Sequence, residues 1–243
     1  MNGFKSVFKR EFNGYFATPV AYVFLVIFLF FSSYLTFKQG FFEARQADLS
    51  GFFRNMPLLF VFIVPSVAMR LWSEERKSGS IELLFTLPIT VTQAVLGKFM
   101  AAWAFLAVAL ALTFPMPMTV AYLGNPDGGL IAAGYIGALL MAGGFLAIGA
   151  FFSTLCKNQV ISFILAVVVC SVFVFSGMPT TMNYLSSFLP EGLVNGFAAL
   201  SFQDHFDSMQ KGIIRLSDIG FFAAMIIGWV SAGAIILDER KAN

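Results

Sequence analysis

The stretch VAYVFLVIFLFFSSYLTF, residues 20–37, decides the fold class. Its 18 residues carry no charge, which is long enough to cross the hydrocarbon core as a helix. Pro19 stands directly before it, where proline suits the first turn of a helix. A secretory leader is the alternative, because basic residues precede the run. The run is too long for an ordinary leader core, however, and no small-x-small cleavage site follows it, so it reads as a retained span. Upstream, Phe4, Phe8, Phe12, Tyr15 and Phe16 recur every three or four residues, while Lys5, Lys9, Arg10 and Asn13 fill much of the remaining circumference. Residues 1–18 therefore predict an amphipathic helix lying at the membrane interface.

Composition agrees with a membrane chain. Only 12% of the residues are charged and 58% are hydrophobic, whereas a soluble domain carries roughly a quarter charged residues to cover its surface. A net charge of +2 gives no reason to expect a nucleic-acid partner. Cys156 and Cys170 fall at the edge and middle of predicted spans and suit neither a disulfide nor a metal site. His205 is the chain's one histidine, which argues against zinc or haem.

Downstream, five further apolar runs follow. The shortest, Met56–Met69, has 14 residues between Arg54 and Arg70, roughly 21 Å of helix. It is expected to span by letting both arginines snorkel to the interfaces, with a kink at Pro65. A third span is predicted over 99–123, bent near its far end by Pro115 and Pro117, and a turn over 125–129 separates it from a fourth at 130–153. The fifth covers 159–177 and the sixth 219–237. The segment 178–217 is unusually apolar for an exposed connection (Leu185, Phe188, Leu193, Phe197, Phe202), so short helices dipping back onto the bundle are expected there. Lys and Arg number ten against five in favour of the side holding both termini. The positive-inside rule therefore puts both termini, including the tail 238–243, in the cytoplasm, and an even number of spans follows. The expected arrangement is a six-span domain over 19–237, with 73–97 cytoplasmic and 178–217 extracytoplasmic.

Three kinds of chemistry are disfavoured. The fragment Thr92–Phe99 has Gly97-Lys98 but lacks the first glycine and the final hydroxyl of a phosphate loop, so no ATP site is expected. Ser176-Gly177 and His205 invite comparison with an intramembrane serine protease, but position 174 is valine and His205 lies outside the spans. His205 is better read as an anchor for the outer helices. The span interiors hold no Asp, Glu, Lys, Arg or His, which disfavours an ion-coupled carrier; Arg54, Arg70, Lys98 and Asp218 are placed at span ends. Two small-residue stripes, Gly220/Ala224/Gly228/Ala232 and Gly137/Gly143/Gly144/Gly149, suit close helix approach. Packing within one chain is the favoured reading for both.

The segment after Trp72 concentrates what remains. It clusters Glu74, Glu75, Arg76 and Lys77; beyond Gly79, Ile81, Leu84 and Phe85 mark one face of a short helix with Glu82 on another, ended by Pro88. A solvated interfacial loop is the bland reading. A docking helix, with apolar anchors and a charged rim, is the sharper one. The pattern Glu74-Glu75, Gly79-Ser80-Ile81-Glu82, Leu84, Leu87-Pro88 and Gly97-Lys98 resembles the ABC-2 type permeases, the membrane subunits of ABC exporters. Two further stretches resemble the same family: Arg10-Glu11-Phe12 through Tyr22, and Leu200-Ser201 with His205-Phe206, Lys211-Gly212 and Asp218. Within it, the gliding-motility-associated and nitrous-oxide-reductase-maturation permeases are most similar. The resemblance implies an all-α, type V exporter-like permease in a bacterial inner membrane, without catalytic residues or bound cofactors. ATP and Mg would sit on a separate ABC ATPase subunit gripping a coupling helix at 73–97. It further implies a homodimer, and leaves room for an extracytoplasmic accessory protein. A membrane anchor passing ATPase-driven motion to such a partner, without moving a solute, is the alternative function.

Overall fold

A computed structural model describes residues 3–41, 48–81, 89–188 and 190–242, without the side chains of 240–242. Thirteen helices and no strand occur among the described residues. They are α1 (Gly3–Ala17), α2 (Pro19–Lys38), α3 (Ser50–Arg54), α4 (Met56–Ala68), α5 (Arg70–Ser78), α6 (Val91–Ala111), α7 (Pro115–Leu123), α8 (Gly128–Leu155), α9 (Gln159–Phe175), α10 (Pro179–Ser186), α11 (Glu191–Ala198), α12 (Phe202–Gln210) and α13 (Leu216–Ala242). Five helical stretches are long and apolar enough to cross a membrane: 19–38, 56–78, 91–123, 128–155 and 216–239. A sixth arises if α9 and α10, bent by 85° at 176–178, count as one broken span. The chain is an all-α polytopic membrane protein.

Local chemistry sets most boundaries. Asp127 caps α8 by accepting from the backbone N–H of Gly129 at 2.8 Å and Leu130 at 3.3 Å. Thr90 and Gln93 close a reciprocal capping box at the start of α6. Gly79 ends α5 with a left-handed φ of 73°, a conformation that costs glycine least. The third span is interrupted at 112–114, where Pro115 removes a donor from the ladder and Thr113 Oγ turns to the Leu110 carbonyl.

The second span departs from expectation. Its helix does not stop at Arg70 but runs on through Ser78, giving 23 residues with one irregularity at Met69. Arg70 thus opens α5 within the span 56–78 rather than ending the span, and Lys98 is the eighth residue of α6. An apolar run measures the length of the buried face; it does not say where a helix ends.

At the centre lies α8, packed against α4, α6, α9, α12 and α13. Its glycines make room for these neighbours. A Cβ on Gly149 would stand 2.5 Å from Ala68 Cβ, one on Gly137 would meet Met209, and one on Gly144 would meet Phe202. The α8 stripe therefore serves packing within the chain. The α13 stripe does not: Gly220 and Gly228 have nothing within 4 Å of an added Cβ, and Ala224 is exposed. Spacing alone identified both stripes, but a smooth helix face says nothing about which neighbour uses it.

Polar residues gather at two opposite ends. One end joins α1, α5, the start of α6, the end of α8 and the end of α13. The other holds α3, the α7–α8 turn and the segment before α13, where Gln39 bridges Arg54 and Asn55. Of the short helices α10–α12, only α12 dips back, burying Phe202, Phe206 and Met209 against α8. Helices α10 and α11 lean mainly on each other and leave Tyr184, Phe188 and Leu193 exposed.

Close packing at Gly149 makes a direct prediction. Gly149→Ala is expected to cost about 1–3 kcal/mol by forcing α4 and α8 apart. Gly192→Ala, with open space around it, should leave the melting temperature in detergent unchanged. Equal shifts in both would contradict the packing described.

Candidate functional site

The polar end around α5 is assembled from residues that are far apart in sequence. Lys98 is only 3% exposed, yet its ammonium lies 2.8 Å from Glu75 Oε1 and 3.4 Å from Glu11 Oε1. It donates to the Leu71 carbonyl at 3.0 Å and sits 5.0 Å from the centre of the Trp72 ring. A buried ammonium survives only when its charge and its donors are matched, and here α1 and α5 supply the match for a lysine carried by α6. Arg10 pairs with Glu11 at 2.7 Å and approaches Glu75 at 3.9 Å. The second oxygen of Glu75 is buried without a hydrogen-bond partner among the described residues.

Helix α1 is held in place by this cluster and by apolar contact with α6. A Cβ on Gly97 would clash with Val7 at 2.8 Å, and Tyr15 stacks on Phe105 with centroids 4.8 Å apart. Burial pushes the Tyr15 hydroxyl well above its ordinary value, the Glu11 carboxylate adds to this, and Arg70 opposes it. The predicted stripe is real: Phe4 stacks on Phe8 and Phe8 on Phe12 at 6.3 and 5.8 Å, and Phe12 meets Phe16 edge-on at 5.2 Å. Lys9 and Arg10 lie on the exposed side.

A second tie joins α5 to α8. The Ser153 hydroxyl, fully buried, accepts from the backbone N–H of Trp72 at 2.9 Å and of Ser73 at 3.0 Å, and donates to the Met69 carbonyl at 3.0 Å. It takes over the ladder step that fails at Met69, which is how a side chain stabilises a helix irregularity. One residue further on, the Thr154 carbonyl accepts from Arg76 Nη1 at 2.5 Å.

These contacts sort the residues singled out by sequence. Glu75 and Arg76 turn inward and are used by the chain itself. Glu74 pairs with Arg70 at 3.2 Å and is half-exposed, Lys77 and Gly79 are exposed, and Ile81 leans on the core. Glu82, Leu84, Phe85 and Pro88 lie outside the described residues. Glu11, Trp72, Ser153 and Thr154 were not singled out as coupling residues. A lone acid on an amphipathic helix and a serine at the end of an apolar run carry no local signal of their partners.

At the other end, His205 Nδ1 faces Asp218 Oδ1 at 2.8 Å, its Nε2 faces the Ala199 carbonyl at 3.2 Å, and its ring stacks on Phe221 at 4.0 Å. Phe206, beside it, is buried against Gly137 and Phe53. Ser176 donates to the Phe173 carbonyl instead, so serine and histidine do not form a nucleophile pair. His205 anchors α12 to α13.

A spanning bundle whose polar end ties a leading helix to a charged post-span segment now meets the comparison with known families. The profile of the ABC-2 family transporter proteins matches residues 39–235. The chain belongs to that family. This permease's α1, source of Glu11, precedes the matched region. No curated protein matches the sequence. The ABC-2 assignment carries an ABC ATPase as partner and the membrane as surroundings.

Charge matching makes Lys98 a sharp test of this site in the permease. Lys98→Met should lower unfolding stability by about 3 kcal/mol, because Glu75 and Glu11 lose their buried counter-charge and keep only the exposed Arg10. Adding Glu75→Gln should return a large part of that loss. A double variant as unstable as the single one would remove the pairing.

Proposed function

We propose that the ATPase subunit of this ABC transporter docks on the segment after Trp72, and that the charge cluster at its root passes the motion to the spans. The observation carrying this reading is the fully matched, buried Lys98, which joins α5 to α1 and α6 while Ser153 joins it to α8. A handle tied to several helices moves them together. ATP and Mg would bind the partner, and this chain would be its non-catalytic permease. The docking end would face the cytoplasm of a bacterium, with both termini on that side of the inner membrane. Similarity to the gliding-motility and nitrous-oxide-reductase-maturation permeases belongs to the same reading.

Two copies are proposed per transporter. The open stripe Gly220, Ala224 and Gly228 and the apolar outer face of α2 support a second chain alongside the first. The polar span residues favour an amphipathic or lipid-linked substrate. Ser32, Thr36, Thr119, Ser171 and Ser176 each donate to a carbonyl of their own helix, so few groups remain to replace the water of a highly charged solute. The exposed Tyr184 on α10, Leu193 on α11 and Phe188 between them favour a second reading, in which an extracytoplasmic accessory protein takes up the motion there without solute transport.

Docking can be tested by co-purifying the permease with its ATPase. Lys77→Glu and Glu82→Lys should each weaken capture by about 2 kcal/mol, roughly thirty-fold, with membrane insertion intact. Unchanged capture and unchanged ATP turnover in both variants would remove the docking assignment.

A further inference from the structure

Beside the Lys98 cluster, and sharing Arg10 and Glu11 with it, an open groove of about 340 Å³ lies between α1 and the start of α5. Its charged lining alternates in sign: Arg10 and Glu11 on one wall, Arg70 and Glu74 on the other, with Tyr15 and Thr18 at its end. The groove sits at the polar end of the bundle next to Pro19, where the apolar outer face of α2 begins, which is the depth of lipid headgroups.

From this we infer that the groove binds the headgroup of a phosphoethanolamine lipid. The two arginines and two glutamates cancel, so the groove offers no net attraction to an anionic headgroup but suits one that carries both signs. Arg70 spends only Nε on Glu74, at 3.2 Å. Its two terminal nitrogens have no partner among the described residues, and together they match two oxygens of a phosphate. Glu74, half-exposed, then faces the ammonium, with the second oxygen of Glu11, whose first is held by Arg10 and Lys98, on the other wall. A primary ammonium has three N–H donors for them and a quaternary one has none, which separates ethanolamine from choline. The acyl chains would run along the exposed Tyr22, Val23 and Val26 of α2. This lipid site does not depend on which side of the membrane the groove faces or on ATPase docking.

The full-length chain, stripped of lipid in detergent, is exchanged into vesicles of phosphatidylcholine alone or with phosphatidylethanolamine or phosphatidylglycerol. Lipid retained after re-extraction is then counted by native mass spectrometry. Retention of about one phosphatidylethanolamine per chain is expected, at least tenfold above phosphatidylcholine and phosphatidylglycerol. Arg70→Gln and Glu74→Gln should each cut it tenfold with melting temperature held. If Arg70→Gln does not fold, Arg70→Lys, which keeps the charge but loses the two-pronged donor, takes its place. Soluble phosphoethanolamine should displace the lipid and inorganic phosphate should not. Equal retention of all three lipids, retention unchanged in the variants, or displacement by inorganic phosphate at the same concentration would each overturn the assignment.

Discussion

A buried lysine that must be neutralised holds this permease's polar end together. Placing an ammonium in a site that water does not reach is tolerable only where opposite charge and hydrogen-bond acceptors are arranged around it. At Lys98 those come from three directions: Glu11 on α1, Glu75 and the Leu71 carbonyl on α5, and the Trp72 ring. No one of these helices can shift far without exposing the others to an unmatched charge. Apolar packing, which is non-directional, cannot impose that discipline in a lipid environment, where tails are as apolar as leucine.

From that knot the constraint extends outward through α8. Ser153 fills the broken step at Met69, Thr154 receives Arg76, and the α8 glycines bring α4, α12 and α13 into contact further along. The opposite end is finished differently, with His205 and Asp218 fastening α12 to α13 and the rings of Phe202, Phe221 and Phe222 filling the corner. A tied polar end, one central helix and an opposite end where α10 and α11 lean on each other make up the bundle.

Much of this was legible in the sequence. Long uncharged runs announced the spans, two prolines marked the interruption in the third, and the phenylalanine spacing announced the stripe on α1. Partnerships were not legible. Lys98 and Arg70 bordered apolar runs and were read as end charges, because hydropathy reports the exposed or lipid-facing composition of a helix and not its hydrogen-bonded extent. Glu75 was read as part of a docking surface because it stands in the charged cluster Glu74, Glu75, Arg76 and Lys77; the structure turns it onto Lys98. The α13 stripe had the same four-residue spacing as a packing face, and only the positions of the other helices show that it is left open.

Rigidity of the polar end is the central claim, and a pair of spin-label distances measures it directly. With labels at the exposed Lys9 and Lys77, the separation between α1 and α5 should stay the same when the ATPase-bound permease passes from the nucleotide-free to the ATP-bound state. A second pair, Lys77 with the exposed Tyr122 at the far end of the third span, should change. A Lys9–Lys77 separation that shifts with nucleotide while the longer one holds would contradict a tied unit moving as one body.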